Sequence, residues 1–198
     1  MSSRLSQAFV KFLIHKGVVS ADDKETYLYG VNQGLLMLLN MVTFVFIGLI
    51  TGTLTYVLVF LFAIIFLRSF AGGYHASTPT QCFVGSSFAV VVMAFLFQQI
   101  QLSQWVMAGL LVIIGVSIIQ LSPVDSANKR LDAVEIKVYK RRAAKICLAE
   151  VIIALVFLSR GIRFVSNGIF WALVIILLLQ VAGLPKSSYK FWQQNSTP

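Results

Sequence analysis

Charge is scarce in this 198-residue chain, and acid is scarcest: 7 Asp and Glu stand against 16 Lys and Arg. From Thr26 to Leu67 there is no charge of either sign. With 58% apolar residues, 12% charged residues and a mean hydropathy of +0.86, a water-soluble globule is excluded and an all-α integral membrane protein is expected. Cysteine and histidine are rarer still, at two each. Two cysteines build no disulfide framework, and His15 and His75 alone build no metal site, so neither metal nor cofactor is expected. The N-terminal stretch lacks a small-residue cleavage site before a hydrophobic core and is not read as a signal peptide. The pI of 9.8 does not imply a nucleic-acid partner, because the basic residues flank apolar runs.

What is present is a series of runs of bilayer length. A helix needs about 20 residues to cross the hydrocarbon core, so 26–67 holds two spans, 31–50 and 54–67, turning at Thr51-Gly52-Thr53. The second is short unless it continues into the segment that follows. Further spans are expected at 80–100, 105–121, 143–158 and 164–184, six in all. Before them, Leu5, Ala8, Phe9, Phe12 and Leu13 recur at helical spacing among Arg4, Lys11 and Lys16, the pattern of an amphipathic helix lying in the interface. The chain thus divides as one membrane domain, 1–198: an amphipathic segment 1–30, a bundle 31–184 and a tail 185–198. Asn32, Gln33 and Asn40 are read as polar contacts between helices, Cys147 as packing, and Glu150 as one half of a salt bridge, since a carboxylate at that depth is costly.

Orientation follows from the basic residues. With six spans and the N-terminus inside, every Lys and Arg except Arg160 and Arg163 falls on the inner side. Both termini and the segment 68–79 are therefore expected to face the cytoplasm.

That segment is the chemically dense part of the chain. Arg68 to Cys82 reads RSFAGGYHASTPTQC, and holds one of the two histidines and one of the two cysteines. A cysteine nucleophile needs a lowered pKa and a base. Thr78-Pro79-Thr80-Gln81 reads as a helix start, with Thr78 as N-cap, Pro79 in the first helical position and Gln81 as the far arm of a capping box. Cys82 then lies in the first turn, where the positive end of the helix dipole favours a thiolate and unpaired N–H groups suit an oxyanion. In one straight helix the seven-residue spacing from His75 would separate the pair by about 10 Å, too far for proton transfer, so the helix must break between them. Pro79 and the Gly72-Gly73 pair supply the means.

The run R-x3-GG-x-H-x6-C between apolar segments, followed two spans later by SPVDSANKR, resembles the accessory gene regulator B (AgrB) family of membrane cysteine endopeptidases in bacterial quorum sensing. The resemblance covers both motifs, their order, their spacing and the chain length. It implies a catalytic pair of His75 and Cys82, with Arg68, Gly72 and Gly73 in the first motif. Pro123, Lys129 and Arg130 fall in the later loop as substrate-binding or supporting residues. The family commonly has Ala-Pro and Lys-Pro there, where this chain has Ser122-Pro123 and Lys129-Arg130. It further implies a bacterial cytoplasmic membrane location, a homodimer, and as partner an AgrD-like propeptide whose acidic C-terminal tail meets the basic loop.

The expected function is removal of that tail through an acyl-thioester on Cys82, followed by cyclisation to a thiolactone or lactone. Two other readings use the same residues differently. A small permease or peptide exporter would leave Cys82 incidental, and a scaffold pairing through polar spans would need the Gly-Gly pair only for packing.

Overall fold

The computed structural model describes residues 4–20, 22–74, 78–124 and 132–194, the side chains of 4, 79, 133 and 185–194 excepted. Among the described residues seven helices follow one another: α1 (Arg4–His15), α2 (Lys24–Ile50), α3 (Leu54–Ala71), α4 (Pro79–Gln99), α5 (Gln104–Leu121), α6 (Ala133–Ser159) and α7 (Arg163–Gln194). No strand occurs among the described residues, only an isolated bridge between Gly72 and Val124. The all-α architecture expected of the composition is the one observed.

Five of the helices are long and apolar enough to cross a membrane: Lys24–Ile50, Leu54–Ala71, Thr80–Gln99, Gln104–Leu121 and Arg163–Leu184. The fifth expected span, 143–158, does form the second half of α6. It differs in carrying Lys145 and Glu150 along its length, with Arg142 immediately before it. Helix ends depart from the sequence reading where charge rather than geometry had set the boundary. Asp23 stands at the N-cap position of α2 without a side-chain cap bond, and the helix begins at Lys24, seven residues before the expected span. At the other end, the α7 backbone stays helical to Gln194, although Pro185 lacks the N–H that would bond the Val181 carbonyl. A helix is satisfied internally and need not stop where the apolar run stops.

The hairpin turns follow the sequence. Thr51-Gly52-Thr53 joins α2 to α3 with Gly52 at φ 67°. Beyond it, α3 runs past 67 into the motif and ends at Ala71. Packing centres on α3, α5, α6 and α7, where Val57, Leu67, Leu111, Ile118, Cys147, Leu173 and Ile176 are fully buried. By contrast, α2 shows most of its length to the surroundings, with Leu38, Phe46 and Ile50 all exposed. That outward apolar surface is what lipid solvates without cost.

Polar side chains join the thinly packed helices. Ser6 donates to Asn32 Oδ1 at 2.6 Å, holding α1 to α2. Ser86 donates to Asn40 Oδ1 at 2.9 Å, holding α4 to α2. The face that α1 turns to the protein is Ser6 and Val10, both buried, while Leu5, Phe9 and Phe12 point away from the bundle. Cys147 is buried with its thiol 3.5 Å from the Gly115 carbonyl oxygen, as packing requires. Glu150 corrects the expectation of a salt bridge: it is buried, and its Oε2 has no partner among the described residues.

A double-mutant cycle of Ser86→Ala and Asn40→Leu is expected to give a coupling of about 0.6 kcal/mol, the usual size for a hydrogen bond between membrane helices. Reversible unfolding in mixed micelles measures it. A coupling of zero would remove this bond from α2–α4 packing.

Candidate active site

The helix start at Thr78 is built as the sequence implies, except that no return bond from the Gln81 side chain completes a capping box among the described residues. Thr78 is extended (φ −127°, ψ 149°), its hydroxyl accepts from the Gln81 N–H at 3.3 Å, and Pro79 takes the first turn. Cys82 donates its own N–H to the Thr78 carbonyl at 3.1 Å. The oxyanion role expected of the first-turn N–H groups is therefore narrower than the sequence suggests. Pro79 has none and those of Gln81 and Cys82 are committed to Thr78, which leaves Thr80.

Both cysteines are free thiols, one buried and one not. Cys147 is enclosed and Cys82 is exposed. A nucleophile must be reachable, so burial separates the two.

Cys82 opens onto a cleft of about 640 Å³ between α3 and α4. The same cleft is lined by Arg68, Gly72, Tyr74 and Pro123. Three of the sequence-predicted residues, Arg68, Gly72 and Pro123, thus meet Cys82 around one space. Arg68 donates from Nη2 to the Tyr74 carbonyl at 2.6 Å. Its Nη1 is buried and has no partner among the described residues. His75, Lys129 and Arg130 lie outside the described residues.

Why the motif needs two glycines is visible in what surrounds them. After α3 ends, Gly72 takes φ 71° and Gly73 φ 126°, both in the region side chains disfavour. A Cβ on Gly72 would collide with the Val124 carbonyl, and one on Gly73 would lie 3.0 Å from the Leu179 carbonyl oxygen. The sequence suggested a sharp fold of the chain here, and close backbone approach on two sides accompanies it. Gly73 donates to Val124 O at 3.3 Å, Val124 donates back to Ala71 O at 3.0 Å, and Tyr74 donates to Leu179 O at 2.8 Å.

Two residues of α7 complete this seam and were missed by sequence reading. Gln180, fully buried, donates from Nε2 to Ala71 O at 3.2 Å and to Ser122 Oγ at 2.9 Å. Gly183 lets the loop sit on the helix: a Cβ there would lie 3.0 Å from the Tyr74 nitrogen and 3.0 Å from a Val124 methyl. The available signal was a lone amide in an otherwise apolar run, where a polar side chain must find partners inside the protein. On the other side, the Phe70 ring lies 5.6 Å from that of Tyr139 and 5.4 Å from the Arg142 guanidinium. This pair brings the basic first half of α6 against the motif. Lys137, Lys140, Arg141 and Lys145 are exposed along it. The Ser122-Pro123 peptide that precedes Val124 is cis.

Thiol, guanidinium and glycine-rich loop therefore share one cleft in the spacing the sequence displays. The family model for accessory gene regulator B matches residues 6–184. This chain belongs to the AgrB family. Among curated relatives, an AgrB-like protein of Listeria monocytogenes serotype 4a (strain HCC23) is 30% identical over 127 residues, 62% of each chain. One of Listeria innocua serovar 6a (strain ATCC BAA-680 / CLIP 11262) is 30% identical over 129 residues, 63% of each. The matched stretch thus spans a little under two thirds of the length of those relatives. No solved structure matches.

Replacing Gln180 by Leu removes the donor shared by Ala71 O and Ser122 Oγ. The expected cost is about 0.5–1.5 kcal/mol, the range for a lost hydrogen bond, because Ala71 O keeps the Val124 N–H and Ser122 Oγ keeps the Ile118 carbonyl. Amide exchange should accelerate at Tyr74 and Val124 and stay unchanged in α1 and α2. Unchanged exchange at Tyr74 and Val124 would count against the seam.

Proposed function

We propose that this AgrB-family chain is a membrane cysteine endopeptidase that removes the C-terminal tail of a quorum-sensing propeptide and cyclises what remains. The observation that carries the reading is the placement of Cys82. It is the exposed one of two thiols, it sits in the first turn of a capped helix, and it shares a cleft with a cation bonded to the residue before His75.

In the first step His75 takes the Cys82 thiol proton and the thiolate attacks the scissile carbonyl. A C–S bond forms, the C–N bond breaks, and the departing amine of the tail leaves with that proton. In the second step a Cys or Ser side chain within the retained segment attacks the thioester. Its sulfur or oxygen bonds the carbonyl carbon, the bond to Cys82 breaks, and the proton it releases returns through His75 to the thiol. Exchange between thioesters is nearly balanced in free energy, so exclusion of water from the cleft decides between cyclisation and hydrolysis.

Arg68 is assigned two tasks by its two nitrogens. Nη2 holds the loop through Tyr74 O, and Nη1 meets the carbonyl oxygen as it becomes negative. The first-turn N–H of Thr80 acts in the same sense. Lys129, Arg130 and the exposed bases of α6 receive the acidic tail on the cytoplasmic side, which is the side the distribution of Lys and Arg favours. Six spans, with both termini inside, and a homodimer complete the proposed arrangement in the bacterial membrane.

The test is tail release from the propeptide encoded beside this chain, followed by mass spectrometry on protein reconstituted in vesicles. Wild type and Cys147→Ala should release it, with a transient adduct on Cys82. Cys82→Ala and His75→Ala should not. Arg68→Lys keeps the charge but loses the fork, and should lower kcat by roughly 10²-fold, as for removal of one oxyanion donor. Equal release by the Cys82→Ala protein would overturn the reading. Uptake or export of the propeptide without cleavage would favour the transporter.

A further inference from the structure

The cleft is far larger than a thiol, a guanidinium and one peptide bond require, and its two ends differ in kind. At one end stand Arg68, Tyr74, Gln81 and Cys82. From there it runs between α3 and α4, along the stripe Ile65, Leu61 and Phe60 on one side and Gly85, Ala89 and Val90 on the other. From Cys82 to Val90 is two turns of helix, about 12 Å. Phe44 of α2 and Ile175 of α7 close the far part, where Phe60 and Val90 are buried. A space of 640 Å³ with apolar walls and polar groups at one end has the size and make-up of a ligand site. Small residues on α4 create it: Gly85 and Ala89 lie one and two turns beyond Cys82 on the same face, and a Cβ added to Gly85 would meet nothing within 4 Å.

We propose that this apolar cleft is the binding site for the substrate residues immediately preceding the scissile bond, and that the empty volume at Gly85 and Ala89 selects large aliphatic or aromatic side chains there. The inference rests on the peptidase reading for which bond is cut. The side of the bond follows from charge. Cleavage creates an amino group on the departing piece, and an ammonium is costly in an apolar space without a partner. The departing piece therefore leaves by the polar end, past the exposed bases of α6. The acyl piece, still bonded to Cys82, remains with its side chains in the cleft. At about 3.3 Å per extended residue, 12 Å accommodates two or three residues beyond the thioester. Their burial keeps the acyl group seated during the interval before ring closure. Substitutions on one face of α4 would then change which peptide is accepted without touching the catalytic pair.

The probes are three acetylated dipeptide chloromethyl ketones, Ala-Ala, Leu-Leu and Phe-Phe, whose electrophilic carbon follows the side chains as the scissile carbonyl does. Alkylation of Cys82 is followed by mass spectrometry on the full chain in vesicles of phosphatidylglycerol and phosphatidylethanolamine, with iodoacetamide as a probe that carries no side chain. Wild type should react with Leu-Leu and Phe-Phe about tenfold or more faster than with Ala-Ala, the discrimination an apolar pocket gives for a few methylenes. In Gly85→Leu and Ala89→Phe that preference should collapse while iodoacetamide reacts at the wild-type rate, and Gly85→Ala should fall between. The comparison across variants cancels partition of the probes into lipid. Equal rates for the three ketones in wild type, or a preference that survives Gly85→Leu, would overturn the inference. So would phospholipid that co-purifies with wild type but not with Gly85→Leu, accompanied by no discrimination among the ketones, which would assign the cleft to lipid. The readout does not need peptide cleavage. Discrimination with no tail release would leave the cleft standing and remove the peptidase, and tail release without discrimination would do the reverse.

Discussion

Backbone groups that leave a helix inside an apolar bundle must find partners there, because lipid offers none. The chain leaves α3 at Gly72 and faces this requirement beside the cleft that holds Cys82. Its answer is a short seam in which Ala71, Gly73, Tyr74, Val124 and Leu179 satisfy one another, with Gln180 and Arg68 as side-chain donors. Ala71 O accepts from both Val124 N and Gln180 Nε2, so three separate parts of the chain are drawn to one carbonyl. The glycines follow from this arrangement, since Gly72, Gly73 and Gly183 each stand where a side chain would push the strands apart. Arg68 then fixes the far end of the seam through Tyr74 O. The setting of Cys82 thus depends on contacts far apart in sequence, between 71 and 180 above all.

Much of this was legible in the sequence, and the reason differs from element to element. The Thr78 cap is local: Thr, Pro and Gln in sequence carry their own geometry, and Cys82 follows them into the first turn. The turn at Thr51-Gly52-Thr53 and the exit at Gly72 are also local, because glycine between apolar runs has few other uses. Asn32 and Asn40 were readable as contacts between helices, since an amide in lipid needs a partner, but which partner is a matter of tertiary geometry. Asn32 meets the amphipathic helix through Ser6. Glu150 reverses the case. The rule that buried carboxylates pair suggested an ion pair, and none is seen among the described residues. Gln180 and Gly183 were out of reach because their role exists only once α7 lies against the loop. Nothing within ten residues of either distinguishes them from the small and polar residues that any membrane helix carries.

The two cysteines argue the same point from the side of chemistry. They are identical groups in one bundle, and α6 encloses one against Gly115 while α4 exposes the other at the end of a cleft. Reactivity in this chain is therefore a property of place. Two turns of α4 contribute that place twice over, first through the cap that sets the thiol in the opening turn, then through Gly85 and Ala89, which leave room along the face beyond it. On the reading proposed here, the helix that carries the nucleophile also carries the recognition of what is attached to it.

On the same proposed reading, that economy has a physical consequence for the second half of the reaction. A thioester whose acyl chain is buried along α4 cannot diffuse away, and water reaches it only from the polar end of the cleft. The incoming thiol or hydroxyl belongs to the same bound peptide, so its effective concentration is set by the bend of a short segment rather than by solution. A deeper acyl site lengthens the time available for that bend and shields the ester from hydrolysis over the same interval. Ring closure and selectivity for apolar residues then arise from one feature, the space left between α3 and α4, and neither requires a further catalytic group.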